Sequence, residues 1–164
     1  GNGRTGALYS YMNYGITPDI VTTAKGLGGG LPIGATLIGE KGADVLGFGD
    51  HGSTFGGNPV CCAGAVSILS RLDDAFLAEV KKKGEFALSA FRGARGITSV
   101  SGMGLMIGLK PVKPAAEVVR TCIDRGVLCL TAKDKVRLLP ALNIPMPLLE
   151  KAVGIICNVC AEEK

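Results

Sequence analysis

Long hydrophobic runs are missing from this sequence. No apolar stretch reaches the roughly 18–20 residues that a membrane-spanning helix needs, so no membrane anchor is expected within it. No secretory leader is visible either. The chain opens on Gly1-Asn2-Gly3-Arg4-Thr5-Gly6 without an initiator Met, and this end is expected to have been cut or left out. An excess of one charge is also missing: Lys plus Arg is 18, Asp plus Glu is 14, and the net charge is only +4. The single dense basic run, Lys81-Lys82-Lys83, has no aromatic residues interleaved. It reads as a solvated helix face, not as a nucleic-acid or membrane patch. Histidine is nearly absent, with His51 alone, and Cys157-Asn158-Val159-Cys160 has no second C-x-x-C to complete a four-ligand zinc site. No metal, nucleic-acid or membrane partner is expected.

What is present points to a packed protein. With 47% hydrophobic and 20% charged residues, the 164-residue chain has enough apolar surface for a core in one domain or two small ones, and disorder is not expected. Six cysteines sit mostly in apolar segments, the pattern of free thiols in a cytosolic protein and not of a disulfide frame. Glycine is the outlier at 25 residues, clustered at Gly26–Gly34, Gly47–Gly57 and Gly102–Gly108 with no repeat period. Such clusters suit backbone that approaches a ligand closely.

Ile20-Val21-Thr22-Thr23-Ala24 is a β-prone run that stops at Lys25 and a glycine loop, and Ala35 to Gly39 is a second strand. Asp50 to Asn58 is a loop. Asn58 should cap a helix with Pro59 at its first position, running to about Leu72. A second helix spans about Asp73 to Phe91, with Gly84 as an interruption. After a boundary near residues 92–96 the pattern changes. Ile97–Val100 and Leu105–Leu109 read as strands, Ala115–Arg125 as a helix closed by Gly126, Val127–Leu130 and Val136–Leu139 as strands, and Pro147 to about Cys160 as a last helix. We summarise this second half as β-α-β-β-α, a small α+β domain over 97–164 that follows a first domain over 1–92.

Chemistry concentrates in the first half. A lysine at the carboxyl end of a strand stands where α/β sheets bind ligands, and its amine is able to form a Schiff base with an aldehyde cofactor. The same placement fits a surface lysine beside a turn. In His51-Gly52-Ser53-Thr54-Phe55-Gly56-Gly57-Asn58-Pro59, adjacent hydroxyls and glycine amides precede a helix start, which suits a phosphate or another anion. An ordinary capping loop has the same look, and plain loop structure accounts for His51.

Taken together, these segments resemble one family. Thr23-Ala24-Lys25-Gly26-Leu27-Gly28-Gly29-Gly30-Leu31-Pro32-Ile33-Gly34-Ala35 resembles the lysine signature of class III (subgroup II) aminotransferases, which depend on pyridoxal 5′-phosphate. The segment from His51 to Pro59 resembles the family's phosphate segment at the expected distance downstream. Gly1 to Gly6 is similar to the stretch just after the family's Asp-Glu-x-Gln motif. Gly102 to Gly108 and Arg137-Leu138-Leu139-Pro140-Ala141-Leu142 resemble two motifs of its C-terminal domain. The resemblance covers nearly the whole chain, in order. Within the family, the unbroken Gly-Leu-Gly-Gly-Gly-x-Pro-Ile-Gly-Ala run is most similar to members that act on N-acetylornithine.

The resemblance implies an α/β fold: the end of a fold-type-I large domain, then a small C-terminal α+β domain. Lys25 would hold the cofactor covalently and then shuttle a proton between the substrate Cα and C4′ of the cofactor. Thr54 would hydrogen-bond the cofactor phosphate across the interface of a homodimer, and Ser53 would contact the substrate there. Arg137 would pair with a substrate carboxylate, although a structural ion pair fits an arginine in a strand as well. The implied reaction moves the amino group of N-acetylornithine to 2-oxoglutarate, or runs in reverse in arginine synthesis, in the cytoplasm. Other ω-amines (ornithine, succinylornithine, putrescine) and an idle, non-catalytic fragment are the alternatives. The family's Gly-rich phosphate loop, ring-stacking aromatic, one substrate-binding arginine and the Asp that pairs with the pyridine nitrogen are not among these residues. The C-x-x-C pair falls at the end of its helix, where the dipole opposes a thiolate, so a redox role is not expected.

Overall fold

A computed structural model describes residues 1–162. The chain divides into two compact units. The first contains Gly1–Gly3 and Ala7–Phe76, and the second contains Arg4–Gly6 and Leu77 onward. The motif Gly1 to Gly6 is therefore shared between them.

In the first unit, β1 (Ile20–Thr23) pairs antiparallel with β2 (Ala35–Ile38), in the register Ile20 to Ile38 and Thr23 to Ala35. Between them the chain turns through a short 3-10 helix, Lys25–Gly28. Helix α1 (Pro59–Leu69) begins where its sequence dictates. The Asn58 side chain accepts from the amides of Val60 and Cys61 at 3.1 Å each, and Pro59 needs no such partner. The middle of α1 lies on the Lys25 turn, where Leu27 and Ala65 are buried. Glycine permits that approach: a Cβ on Gly64 would stand 2.8 Å from the Gly28 carbonyl oxygen.

Much of this unit remains uncovered. All of β2 is exposed, as are Ile20 in β1 and Val60 and Val66 in α1. A helix apolar on every side, like α1, belongs in the interior of a larger body, and a lone two-stranded sheet is marginal in water.

Helix α2 (Asp74–Arg92) starts under a cap, the Phe76 amide donating to the Asp73 carboxylate at 2.8 Å. From Leu77 onward it belongs to the second unit, where Val80, Gly84, Ala87, Leu88 and Phe91 form its buried face. Gly84 does not interrupt it. The helix runs through, and the missing side chain is required because a Cβ there would stand 2.3 Å from the carbonyl oxygen of Gly104.

The second unit is built on a four-stranded antiparallel sheet in the order β3-β4-β6-β5. Its strands are β3 (Ile97–Met103), β4 (Met106–Pro111), β5 (Leu130–Ala132) and β6 (Lys135–Leu138). Helices α3 (Ala115–Asp124) and α4 (Met146–Ala161) complete it, so the order is ββαββα, one leading strand more than our summary of the sequence gave. Helix α3 ends as its glycine requires. Gly126 takes φ 84, its amide donates to Ile123 O at 2.9 Å, and the Val127 amide donates to Cys122 O at 2.8 Å. This closure occupies Val127, so β5 begins at Leu130 and not at Val127. The core gathers Phe91, Leu105, Ile107, Leu109, Val118, Val136 and Ile156, all at most 2% exposed. Each such side chain contributes about 1.5–3 kcal/mol of transfer free energy. Among the described residues no helix is long and apolar enough to cross a membrane.

Candidate active site

Lys25 is the first residue of the turn that follows β1, and it takes φ 54, a left-handed conformation rare outside glycine. The residue is exposed, and its amine has no hydrogen-bond or ion-pair partner among the described residues. Beside it, a Cβ on Gly26 would meet nothing within 4 Å. Ser53 and Thr54 stand in the exposed loop that leads into α1, and neither hydroxyl has a partner among the described residues. A Cβ on Gly52 would likewise meet nothing within 4 Å. One helix serves both places, since its N-terminal end continues the Ser53–Thr54 loop and its middle packs on the Lys25 turn. His51, in the same loop, is exposed.

This donor set suits a phosphate ester that also carries an aldehyde. A free primary amine can condense with an aldehyde, a free hydroxyl such as that of Thr54 can donate to a phosphate, in this copy or in a neighbouring one, and the glycine backbone beside Lys25 leaves room for a flat ring. The residues present therefore fit pyridoxal 5′-phosphate.

Arg137 lies in the second unit. It sits in β6, opposite Gly108 of β4 and Leu130 of β5. Its Nε is buried without an acceptor, and no carboxylate pairs with the guanidinium among the described residues. A buried donor left unsatisfied costs about 1–3 kcal/mol. Arg4, in contrast, is spent on structure: its Nη1 donates to the carbonyls of Leu105 and Pro140, and burial lowers its pKa. An apolar cavity of about 440 Å³ in the same unit, bounded by Phe91, Ile107, Leu149 and Ile156, includes none of Lys25, Ser53, Thr54 or Arg137.

One contributor was not among the expected site residues. The Asn2 side chain donates to the Ala24 carbonyl at 2.8 Å and accepts from the Thr23 hydroxyl at 3.1 Å, directly ahead of Lys25. The only hint in the sequence was an asparagine between glycines, a residue that tolerates left-handed backbone.

Fold and site together define a chain of the class III aminotransferases. The model of that family, aminotransferase class-III, matches residues 1–160, and the chain belongs to it. It is 48% identical over 164 residues to the acetylornithine aminotransferase of Haemophilus ducreyi, covering 99% of this chain and 42% of that protein. It is 42% identical to the mitochondrial acetylornithine aminotransferase of Alnus glutinosa, covering 95% of this chain and 36% of that protein. Among solved structures, the acetylornithine aminotransferase of Elizabethkingia anophelis superposes with a TM-score of 0.87 at 31% identity, over 97% of this chain and 43% of that one. The ornithine aminotransferase of Toxoplasma gondii gives 0.90 at 30%, over 98% and 41%. The α/β fold expected from the sequence is thus that of these aminotransferases, and the chain spans about two fifths of their length.

The cysteines divide. Cys122, Cys129 and Cys160 are buried, Cys61, Cys62 and Cys157 are half-buried, and all are free. Burial pushes the Cys160 thiol up to about 11 and raises that of Cys157, so both are neutral at pH 7. A raised folded-state pKa adds stability that is complete below the unfolded value of roughly 8.5 and is lost as pH rises toward the folded value. Replacing Cys157 and Cys160 together by alanine is expected to flatten that alkaline loss, and to cost about 1–2 kcal/mol per thiol at neutral pH. Amino transfer by the full-length protein should stay within about a few-fold, because the pair is remote in sequence from Lys25 and neither thiol is poised as a thiolate. Denaturant unfolding from pH 7 to 10, with metal analysis of both proteins, checks this. Stoichiometric metal lost on replacement would contradict it.

Proposed function

We propose that the full-length protein bearing this chain is a pyridoxal-phosphate-dependent aminotransferase that moves the amino group of N-acetylornithine to 2-oxoglutarate, in arginine synthesis. The observation that carries it is Lys25: an unpaired, exposed amine held at a strand end in left-handed backbone, inside the family's lysine segment. Bound pyridoxal 5′-phosphate supplies the electron sink that lets a proton leave the substrate Cα. Lys25 would hold the cofactor, and its amine would carry that proton between Cα and C4′. Thr54 donates to the phosphate and Ser53 to the substrate. Arg137 receives a substrate carboxylate, a role supported by its unpaired guanidinium and opposed to the structural ion pair that the sequence left open.

A homodimer, with Thr54 serving the neighbouring site, is part of the proposal. The exposed apolar residues Phe48 and Phe55 flank the Ser53–Thr54 loop, as expected of a surface that a second subunit covers. The proposal also holds the protein to be cytoplasmic, and it treats residues 1–92 as a large-domain portion ending in the linking helix α2, which packs with the second unit from Leu77 onward, and residues 97–164 as the small domain.

The donor is argued from identity. The relatives from Haemophilus ducreyi and Alnus glutinosa, at 48% and 42%, are both acetylornithine aminotransferases, whereas the solved acetylornithine and ornithine aminotransferases, at 31% and 30%, do not separate the two donors. The test is glutamate formation from 2-oxoglutarate with N-acetylornithine, ornithine, succinylornithine and putrescine as separate donors. N-acetylornithine should give the highest kcat/KM, by about tenfold or more, the discrimination that one well-placed polar contact supplies. A ranking led by another amine would replace the donor and keep the reaction.

A further inference from the structure

We propose that Asn2 is a positioning residue for Lys25: its side-chain amide clamps the peptide that precedes the lysine and so aims the lysine amine. The inference rests on the proposed role of Lys25 and adds a residue to it.

Both ends of the amide are committed. The Ala24 carbonyl only accepts, so Nδ2 of Asn2 must face it, at 2.8 Å. Oδ1 is left to receive the Thr23 hydroxyl, at 3.1 Å. The same Ala24 oxygen takes the Leu27 amide at 3.2 Å, so it is held from two sides. That oxygen and the Lys25 nitrogen belong to one planar peptide. Fixing the oxygen fixes the plane from which the φ of Lys25 is measured, and that φ is 54, where a lysine does not rest by preference. Without Asn2 only the Leu27 amide holds that oxygen, which leaves the peptide freer to rotate and Lys25 to relax to negative φ, swinging its Cα–Cβ bond and the amine with it. Asn2 is suited to the task in a second way. It takes φ 53 itself, in the region where asparagine is among the few tolerated residues, and there its short side chain reaches across to the strand end. The clamp joins residues more than twenty positions apart, and all of it lies within the first unit.

The experiment compares variants of the full-length protein. Asn2→Gly keeps the left-handed backbone and removes both hydrogen bonds. Asn2→Asp keeps the acceptor for Thr23 and sets an oxygen against the Ala24 carbonyl. Thr23→Ser keeps the hydroxyl, and Thr23→Val removes it at similar volume. Three quantities are read: the rate at which Lys25 captures added pyridoxal 5′-phosphate, followed as the absorbance of the bound cofactor; the kcat and KM for the amino donor; and the thermal midpoint. Asn2→Gly is expected to slow capture and lower kcat by about tenfold or more, as misplaced reacting groups do, with KM within about twofold. Asn2→Asp should lose at least as much, Thr23→Val less, and Thr23→Ser nothing. If Asn2→Gly does not fold, Thr23→Val against Thr23→Ser carries the same test. Capture and kcat unchanged in Asn2→Gly and Asn2→Asp overturn the proposal. So do losses that follow the thermal midpoint with KM rising in step, which mark a latch without a positioning role. Wild-type protein that captures no cofactor at Lys25 overturns the role of Lys25 itself. Wild-type capture with an indifferent Asn2 overturns the clamp alone.

Discussion

Lys25→Ala in the full-length protein is expected to reduce kcat for amino transfer by roughly 10⁴-fold or more, equivalent to about 5 kcal/mol of barrier. Two losses combine. The cofactor has no covalent anchor, and the proton at the substrate Cα has no base; positioned general bases alone contribute about 10²–10⁴-fold. The same change should leave folding almost untouched, because the Lys25 side chain is exposed and has no partner to lose among the described residues. Glycine goes further. At φ 54 a side chain carries a left-handed penalty of about 1–2 kcal/mol, so Lys25→Gly should raise stability by up to about 1 kcal/mol while remaining inactive. A lysine whose removal abolishes turnover and strengthens the fold is placed for chemistry and not for packing. Steady-state assays with chemical denaturation of all three proteins check both halves. Turnover within about tenfold of wild type in Lys25→Ala would contradict the base role, since that is below the contribution expected of a general base.

The second large effect concerns the 164-residue chain by itself, which spans about 42% of the Haemophilus ducreyi relative. Expressed alone with pyridoxal 5′-phosphate, N-acetylornithine and 2-oxoglutarate, it is expected to show no transamination near that of an intact enzyme. By resemblance, the group that stacks on the cofactor ring and the acidic residue that keeps its nitrogen protonated lie outside these residues. Loss of the acidic residue alone should cost several kcal/mol in the transition state, and each ~1.4 kcal/mol is tenfold in rate. The first unit adds a physical obstacle. Its sheet has only β1 and β2, both with free edges, and α1 exposes Val60 and Val66. Open edges and uncovered apolar faces favour association over a defined site, so the isolated chain should also self-associate as its concentration rises. Glutamate formation measured together with light scattering reports both. Turnover comparable to an intact enzyme would show that Lys25, Ser53, Thr54 and Arg137 suffice without the groups assigned elsewhere.

How far the sequence carried depended on whether a feature was local. Asn58-Pro59 announced a helix start and Gly126 a helix end, and both hold, because capping is decided within a few residues. Gly84 looked like a break for the same local reason, yet its need comes from Gly104, which no pattern inside the helix reveals. The first residue of β5 was misplaced because Val127 gives its amide to the end of α3 before any strand begins. In the site, the lysine segment and the hydroxyl pair were legible as motifs of residue type. The left-handed conformation of Lys25, and the hydrogen bonds from Asn2 to the end of β1 more than twenty residues away, were not. The unpaired Nε of Arg137 was equally hidden, since a strand arginine with a carboxylate and one without read alike.

The central claim is that Lys25 is the covalent anchor, and borohydride reduction tests it most directly. The full-length protein is incubated with pyridoxal 5′-phosphate, reduced, digested and mapped by mass spectrometry. One phosphopyridoxyl group per chain, on Lys25 and absent from Lys25→Ala, is the expected result. A stoichiometric label on Lys41 or Lys133, with Lys25 unmodified, would contradict it.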